Sequence, residues 1–186
     1  MIDCGVCILG GGEASRLPGK LEADFEGTPL IVRVFENVSA IYPVYISTKG
    51  TFRPDVDARL RAPMIVDRWS ERGPLAGLIS VFSEVSHERM FVVAGDAPFA
   101  DARALQMLGD AWQAGDDAVV AEPLLALYGR AAFLDAAWPV FTQGRAGVKD
   151  VIAKMRARTV ALPITARTNI NTPADLQHNR KYEEVS

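Results

Sequence analysis

Cysteine and histidine are scarce in this sequence: a chain of 186 residues contains two of each. We find no Ser/His/Asp grouping and no spacing of ligands typical of a zinc site. His87 and His178 lie in polar segments beside predicted helices, and we expect both at the protein surface. Any chemistry that the protein performs is therefore expected to depend on side chains of other types.

The two cysteines, Cys4 and Cys7, form a C-x-x-C motif inside an apolar segment that is typical of a β-strand. Successive side chains of a strand point to opposite faces, so residues three positions apart face opposite sides. This geometry disfavours both a disulfide bond and a shared metal ion. We expect the two cysteines to be small buried hydrophobic residues.

Neither sign of charge dominates: Lys and Arg number 20, Asp and Glu number 23, and the net charge is -3. This balance argues against broad binding of nucleic acid. The sequence also lacks an apolar run long enough to span a membrane and a signal-peptide pattern, so we expect a cytoplasmic protein without membrane contact. A hydrophobic content of 49% over this length predicts one globular domain, residues 1–186.

What the sequence does contain is a regular alternation of apolar, strand-like runs with amphipathic stretches. The predicted strands are residues 4–9, 44–47, 64–67, 90–96, 118–121, 124–128 and 159–162. The predicted helices begin at Pro29, with Thr28 as its cap, and at Pro173, and cover residues 73–82, 102–114, 130–138 and 146–156. This alternation predicts an α/β fold, a three-layer α/β/α sandwich with a mostly parallel, Rossmann-like sheet.

The first predicted strand leads directly into a glycine-rich turn, Gly10-Gly11-Gly12, which is followed by Arg16 and Lys20. Glycines let the backbone turn sharply and approach an anion closely, with N–H groups as donors. The two cations can then neutralise a polyphosphate. The segment therefore predicts a nucleotide-binding site.

Three kinds of nucleotide-binding loop can be compared with this segment. A Walker A loop fails twice, because Ala14 replaces its first glycine and Leu21 replaces its hydroxyl residue. A dinucleotide fingerprint fails at Ser15, which stands where the third glycine belongs. The pattern G-G-x-x-x-R-(L/M)-x-x-K, which is found in sugar-phosphate and cofactor nucleotidyltransferases, fits residues 11–20 with both cations present.

Polar residues follow other strands at the edge where ligands gather in such a sheet. Asp96 ends the clearest strand, and its carboxylate is a hard oxygen ligand suited to Mg²⁺. Asp67 ends the third strand, where it is either a turn residue or an acceptor for the edge of a nucleotide base. Asn169 and Asn171 precede the last helix, and Asn171 could help to hold a metal ion or a phosphate.

These segments together resemble the molybdenum cofactor guanylyltransferases, the enzymes that join GMP to molybdopterin. The matching segments are 9–12 with Arg16 and Lys20, 28–30, Asp67 with 73–77, 95–99, 125–128 and 169–176, which extend over nearly the whole chain. The resemblance implies the fold of the nucleotide-diphospho-sugar transferases (GT-A type), a transfer of GMP from GTP to the terminal phosphate of molybdopterin, and Mg²⁺ as cofactor.

The resemblance also implies roles for individual residues. GTP would be bound by Leu9, Gly10, Gly11, Gly12, Lys20, Asp67, Gly77 and Asp96. Mg²⁺ would be bound by Asp96, with Asn171 as a second candidate, and the catalytic residues would be Arg16, Lys20 and Asp96. The expected partners are the two small-molecule substrates, with transient contacts to other cofactor-biosynthesis proteins or molybdoenzymes, and the protein is expected to be a monomer or a small homo-oligomer.

Two segments depart from the family pattern. The second strand ends in Ser47-Thr48-Lys49, where the family often has an asparagine that reads guanine. Residues 119–123 leave little room for the loop that the family has before its next strand, a loop that lies on the acceptor side. Other predictions therefore stay open: transfer from CTP to molybdopterin, transfer from GTP to a cobinamide or lactate-type phosphate, and a regulator that binds nucleotide without catalysis. An NAD(P) oxidoreductase would require the glycine fingerprint that fails at Ser15.

Overall fold

The computed structural model describes residues 3–10, 19–69, 73–144 and 147–178. The strands of these ranges are β1 (Cys4–Leu9), β2 (Asp24–Phe25), β3 (Thr28–Pro29), β4 (Val44–Thr48), β5 (Met64–Val66), β6 (Arg89–Ala94), β7 (Ala118–Glu122), β8 (Leu125–Gly129) and β9 (Ala157–Thr159). The helices are α1 (Leu30–Val38), α2 (Pro54–Asp57), α3 (Gly73–Glu84), α4 (Ala102–Asp110), α5 (Arg130–Thr142), α6 (Val148–Ile152) and α7 (Pro173–His178). Two short 3₁₀ helices cover Lys20–Glu22 and Thr165–Arg167.

One large sheet has the strand order β5-β4-β1-β6-β8-β7-β9, and β2 pairs with β3 in a separate hairpin. Strands β5, β4, β1 and β6 run parallel to one another, whereas β8 runs antiparallel to both β6 and β7. Strand β9 then pairs with β7 in parallel. The prediction of a mostly parallel sheet is confirmed, with β8 as the reversed strand.

Two hydrophobic cores cover the two faces of the sheet. Residues of β1, β4 and β6 alternate between these cores, as the period of two along a strand requires. Helices α1 and α4 contribute their apolar faces to one core, and α3, α5 and α6 contribute theirs to the other. The three-layer α/β/α prediction is therefore confirmed.

The cysteines follow the same alternation. Cys4 packs against the core on the α1 side, whereas Cys7 is fully buried in the core on the α3 side. Both thiols are free. Burial raises the pKa of both thiols above the usual value for cysteine. The prediction that they are buried hydrophobic residues on opposite faces is confirmed for Cys7, and Cys4 is partly buried.

The first helix begins later than predicted. Thr28 and Pro29 pair with β2 in the small hairpin, and α1 starts at Leu30. The tight turn of this hairpin places both Glu26 and Gly27 at positive φ, a conformation that most residues avoid. The side chains of Phe25, Leu30 and Ile170 form a third small core, which favours the hairpin over an earlier helix start.

Three later boundaries and one histidine also differ from prediction. Helix α4 ends at Asp110, α5 continues to Thr142 through Pro139, and the last strand covers Ala157–Thr159. His87 is partly buried rather than fully exposed: its side chain is 14% exposed, and its ring nitrogens contact Asp3 at 2.5 Å and Tyr45 at 2.9 Å. The side chain of His178 lies outside the described part of the chain. In the described residues, no helix combines the length and the apolar character that crossing a membrane requires.

Candidate functional site

A cavity of about 420 Å³ opens at the edge of the sheet where β1, β4 and β6 end. It is lined by residues 9–10, 19–22, 48–52 and 94–96, together with Pro74 and Leu124. Ligands of open α/β sheets bind at this carboxyl edge. Gly10, which begins the glycine-rich segment, and Asp96, which follows β6, therefore border the same cavity, as the sequence predicts.

Lys20 and Asp96 form an ion pair in the wall of this cavity. Their side chains are largely buried, with exposed fractions of 12% and 18%. The Lys20 ammonium group also donates a hydrogen bond of 3.3 Å to the Asn171 Oδ1 atom. The structure thus brings together three predicted site residues from distant parts of the chain, although their roles toward a ligand stay predictions.

The end of β6 fixes the position of Asp96. Its backbone carbonyl accepts a hydrogen bond from the Ile170 N–H at 2.8 Å, and the neighbouring Gly95 N–H donates to the Leu9 carbonyl at 3.0 Å. A Cβ atom on Gly95 would lie 2.7 Å from that same Leu9 oxygen. Glycine is required here because the ends of β1 and β6 approach too closely for a side chain.

The segment that carries Asn171 is held by its own helix cap. The Asp175 carboxylate accepts hydrogen bonds of 2.8 Å from the backbone N–H groups of Asn171 and Thr172. These hydrogen bonds, the one from Asn171 first, lower the pKa of Asp175 below its usual range. The predicted helix start at Thr172–Asp175 is confirmed, and it holds Asn171 beside Lys20.

Lys20 begins a 3₁₀ helix immediately after Gly19, which adopts a left-handed conformation with φ of 71°. The third residue of that helix, Glu22, accepts a hydrogen bond from the backbone N–H of Arg53. The helix is thereby tied to the loop that follows β4. These contacts hold the segment of Lys20 against the loop after β4, at the wall of the cavity.

Gly10 allows the end of β1 to approach β4. Its N–H donates to the Ser47 carbonyl at 2.7 Å, and a Cβ atom on Gly10 would lie 2.9 Å from that oxygen and 3.0 Å from the ring of Phe52. Leu9 and Gly10 both line the cavity, as predicted. Gly11, Gly12 and Arg16, which the sequence also assigns to the site, lie outside the described residues.

Asp67 and Gly77 are buried next to the cavity wall rather than among the described residues that line it. The Asp67 N–H donates to the Thr48 carbonyl at 2.7 Å, and its carboxylate accepts from the Trp69 N–H at 2.9 Å. A Cβ atom on Gly77 would lie 2.5 Å from the Ser47 hydroxyl oxygen, so this glycine lets α3 pack against β4. Contact of either residue with a nucleotide stays a prediction.

The sequence reasoning noted Ser47-Thr48-Lys49 only as a departure from the family pattern and assigned none of residues 48–52 to the site. Residues 48–52 form one wall of the cavity and include Lys49 and Phe52. The Thr48 hydroxyl is occupied within its own turn, since it donates to the Gly50 carbonyl and accepts from the Gly50 N–H at 3.1 Å. The rule that ligands gather at strand ends would have identified Lys49, whereas Phe52 carries no signal in the sequence.

The donor set of this site fits magnesium held jointly with substrate phosphates. The described residues contain no group of three His, Cys, Asp or Glu side chains that could hold a metal ion alone. Mg²⁺ commonly uses one or two protein carboxylates and completes its shell with water and phosphate oxygens. The oxygens of Asp96 and Asn171 already hold one cation, the ammonium group of Lys20, so their position suits a positive charge.

A family model described as a MobA-like NTP transferase domain matches residues 6–159 of this chain. The chain belongs to this family. The match includes residues 6–9 of β1, the cavity wall and Asp96, and it supports nucleotidyltransferase activity. The loop of Asn171 lies beyond the matched residues.

Individual relatives agree with the family assignment. The chain is 27% identical to a probable molybdenum cofactor guanylyltransferase of Natronomonas pharaonis, over 94% of this chain and 95% of the relative. It is 30% identical to a probable molybdenum cofactor guanylyltransferase of Aquifex aeolicus, over 49% of this chain and 45% of that relative. The crystal structure of molybdopterin-guanine dinucleotide biosynthesis protein A from Archaeoglobus fulgidus superimposes with a TM-score of 0.79 and 25% identity, over 93% of this chain and 95% of that one. The predicted fold is confirmed.

Proposed function

We propose that this protein transfers GMP from GTP to the terminal phosphate of molybdopterin and releases pyrophosphate. The observation that carries the proposal is the meeting of Lys20, Asp96 and Asn171 at a cavity of about 420 Å³, in a chain that belongs to the MobA-like NTP transferases. The relatives, which are named as molybdenum cofactor guanylyltransferases, support GTP and molybdopterin as the substrates.

In the proposed reaction, an oxygen of the acceptor phosphate forms a bond to the α-phosphorus of GTP. The bond from this phosphorus to the bridging oxygen breaks, and its electron pair leaves with pyrophosphate. A phosphate monoester has a second pKa of about 6, so it is already largely dianionic at neutral pH and needs no general base. In keeping with this, His87 precedes β6 and lies at the edge of the sheet opposite the cavity.

The residues of the cavity would act chiefly by positioning and by neutralising charge, which is how catalysts of phosphoryl-type transfer work. Lys20 would exchange its partner, from the Asp96 carboxylate to the departing phosphates. Leu9 and Gly10 would place the backbone edge of β1 against the nucleotide. Arg16 would contribute a second cation to the same phosphates.

We also propose that Asp96 and Asn171 hold Mg²⁺ together with the phosphates of the nucleotide. When bound, the ion would supply positive charge next to the α-phosphate. The transfer of Lys20 away from Asp96 would free the carboxylate for this role. Removal of Mg²⁺ with a chelator is then expected to stop pyrophosphate release while leaving the folded protein intact.

The choice of GTP depends on the wall formed by residues 48–52. The family asparagine is absent there, and the Thr48 hydroxyl is occupied by its own turn. We propose that backbone groups of this wall and the Asp67 carboxylate take over the reading of guanine. A preference for CTP would indicate a cytidylyltransferase built on the same site.

The test combines ligand binding with turnover. The melting temperature is measured with each of the four NTPs, with and without Mg²⁺, because a ligand that binds the native state raises it. Pyrophosphate release is then measured with molybdopterin and each NTP. We expect GTP to give the largest shift and to support release only with molybdopterin present. Saturable GTP binding without release would contradict the proposal and favour a regulator.

A further inference from the structure

A second cavity of about 290 Å³ adjoins the first and shares Ala94 and Leu124 with it. Its polar lining consists of Glu122, Arg167 and Asn169. The first of these ends β7, and the other two belong to the segment that leads to Asn171. The second cavity thus lies on the far side of Asp96 from the wall formed by residues 48–52.

The backbone that carries Arg167 is fixed. The Arg167 N–H donates to the Ile164 carbonyl at 3.1 Å. The preceding residue, Ala166, and the nearby Ile170 are buried. The Ile170 N–H in turn donates to the Asp96 carbonyl at 2.8 Å. The three residues from Arg167 to Ile170 span at most about 11 Å. The Cα atom of Arg167 therefore lies close enough to Asp96 for one small molecule to contact both residues.

The guanidinium group of Arg167 has a weak partner. Its Nη1 atom lies 3.3 Å from the Glu122 Oε1 atom, and the two side chains are 36% and 49% exposed. By contrast, Arg156 donates to Asp117 through its Nε atom at 3.1 Å, its Nη2 atom at 2.8 Å and its backbone N–H at 2.9 Å. A single exposed contact contributes little to stability, so Arg167 can exchange Glu122 for a stronger anionic ligand at small cost.

We propose that the second cavity receives the acceptor and that Arg167 leaves Glu122 to bind the acceptor's phosphate. This inference rests on the proposed transfer function and assigns its acceptor site. Arginine presents a planar fork of donors that matches two phosphate oxygens at once. The apolar residues Ala97, Leu125 and Ala166 line the same cavity and suit a flat ring system next to that phosphate. Arg167 is then a specificity-determining residue for phosphorylated acceptors.

The proposal predicts opposite behaviour for the two partners of the ion pair. Arg167→Gln should raise the KM for molybdopterin at least tenfold and leave the KM for GTP unchanged, and Arg167→Lys should restore part of the loss. Glu122→Gln should not raise the acceptor KM, because it frees the guanidinium group. Arg59→Gln is the matched control, since Arg59 pairs with Glu36 at 2.9 Å with similar exposures of 41% and 51%.

A second measurement does not depend on the identity of the acceptor. Phenyl phosphate, a phosphate monoester on a flat ring, is titrated by ³¹P NMR with pyrophosphate present in excess to occupy the nucleotide side. Arg167→Gln should raise its Kd at least tenfold, and Arg59→Gln should not. An unchanged Kd in Arg167→Gln, or an equal increase in Glu122→Gln, would overturn the inference. Absence of turnover with molybdopterin would instead overturn the proposed function, while this titration still decides the role of Arg167.

Discussion

Lys20 and Asp96, 76 positions apart in the chain, form an ion pair in the wall of the larger cavity. Each side chain is largely shielded from water, and each neutralises the charge of the other. A nucleotide that binds with a divalent cation offers both groups a new partner of the correct sign. The pair therefore places next to each other the two charged groups that the proposed reaction uses.

Substitution of Asp96 should separate catalysis from folding. We expect Asp96→Ala to abolish pyrophosphate release and to leave the far-UV circular dichroism spectrum unchanged, because the side chain belongs to none of the hydrophobic cores. Lys20→Ala should reduce the rate by about 10²-fold, the typical effect of removing one preorganised charge-stabilising donor. Undiminished release by Asp96→Ala would exclude this residue from the mechanism.

Two glycines, Gly95 and Gly109, should respond differently to alanine. Gly95→Ala should lower the free energy of unfolding by about 1–3 kcal/mol, because its new methyl group would lie 2.7 Å from the Leu9 carbonyl oxygen. Gly109→Ala is the control: it lies in α4, and the nearest atom to its Cβ position is 3.8 Å away. Here we expect a gain of about 0.4–1 kcal/mol. Urea unfolding of both variants checks the prediction, and equal effects would contradict it.

The contact between β7 and β9 should weaken in acid. The pKa of Asp117 is lowered by hydrogen bonds from the Arg156 side chain and then from its backbone N–H. A carboxylate whose pKa is lower in the folded state than in the unfolded state stabilises the protein at pH values above the unfolded-state pKa of about 3.9. This stabilisation is lost as the pH falls through the folded-state pKa. Asp117→Asn should thus be less stable than the parent protein at pH 7, and the difference should shrink below about pH 4. A difference that does not change with pH would contradict this assignment.

The thiol of Cys7 should be inaccessible to alkylating reagents while the protein is folded. Only the thiolate reacts, and burial raises the pKa of both cysteines. In the Cys4→Ala variant, we expect iodoacetamide at pH 8 to modify Cys7 only after unfolding with urea. Mass spectrometry at successive urea concentrations measures this. Rapid labelling of Cys7 in the native variant would show that the strand opens without global unfolding.

The sequence predicts the centre of the site well, because a few general rules apply there. A polar residue after a buried strand must lie at the ligand edge of a parallel sheet, which locates Asp96, and the glycine-rich pattern locates Lys20. The hairpin at Asp24–Pro29 was missed because its two-residue strands leave no periodic signal. His87 was misplaced because its burial arises from Asp3 and Tyr45, which no local pattern connects to it.

The second cavity was also beyond sequence reasoning, for a related reason. Glu122 and Arg167 are 45 positions apart and meet only because β7 ends beside the segment that returns to Asp96. The family resemblance, in contrast, implies that the loop at the short segment 119–123 lies on the acceptor side, and this stays a prediction. The structure shows that a short connection between β7 and β8 leaves room for a cavity rather than removing one.

Strand β8 runs against its neighbour β6, so the two-residue connection before it, Pro123-Leu124, lies at the same edge as Asp96, where the Leu124 carbonyl accepts from the Ala94 N–H at 3.0 Å. Hairpin tips tolerate insertions and replacement more readily than the strands that they join. The side chains of this connection can consequently change without altering the wall formed by residues 48–52, whereas its backbone is held by the Leu124 hydrogen bond. A protein of this design could therefore change the acceptor of the proposed reaction and keep the same nucleotide donor.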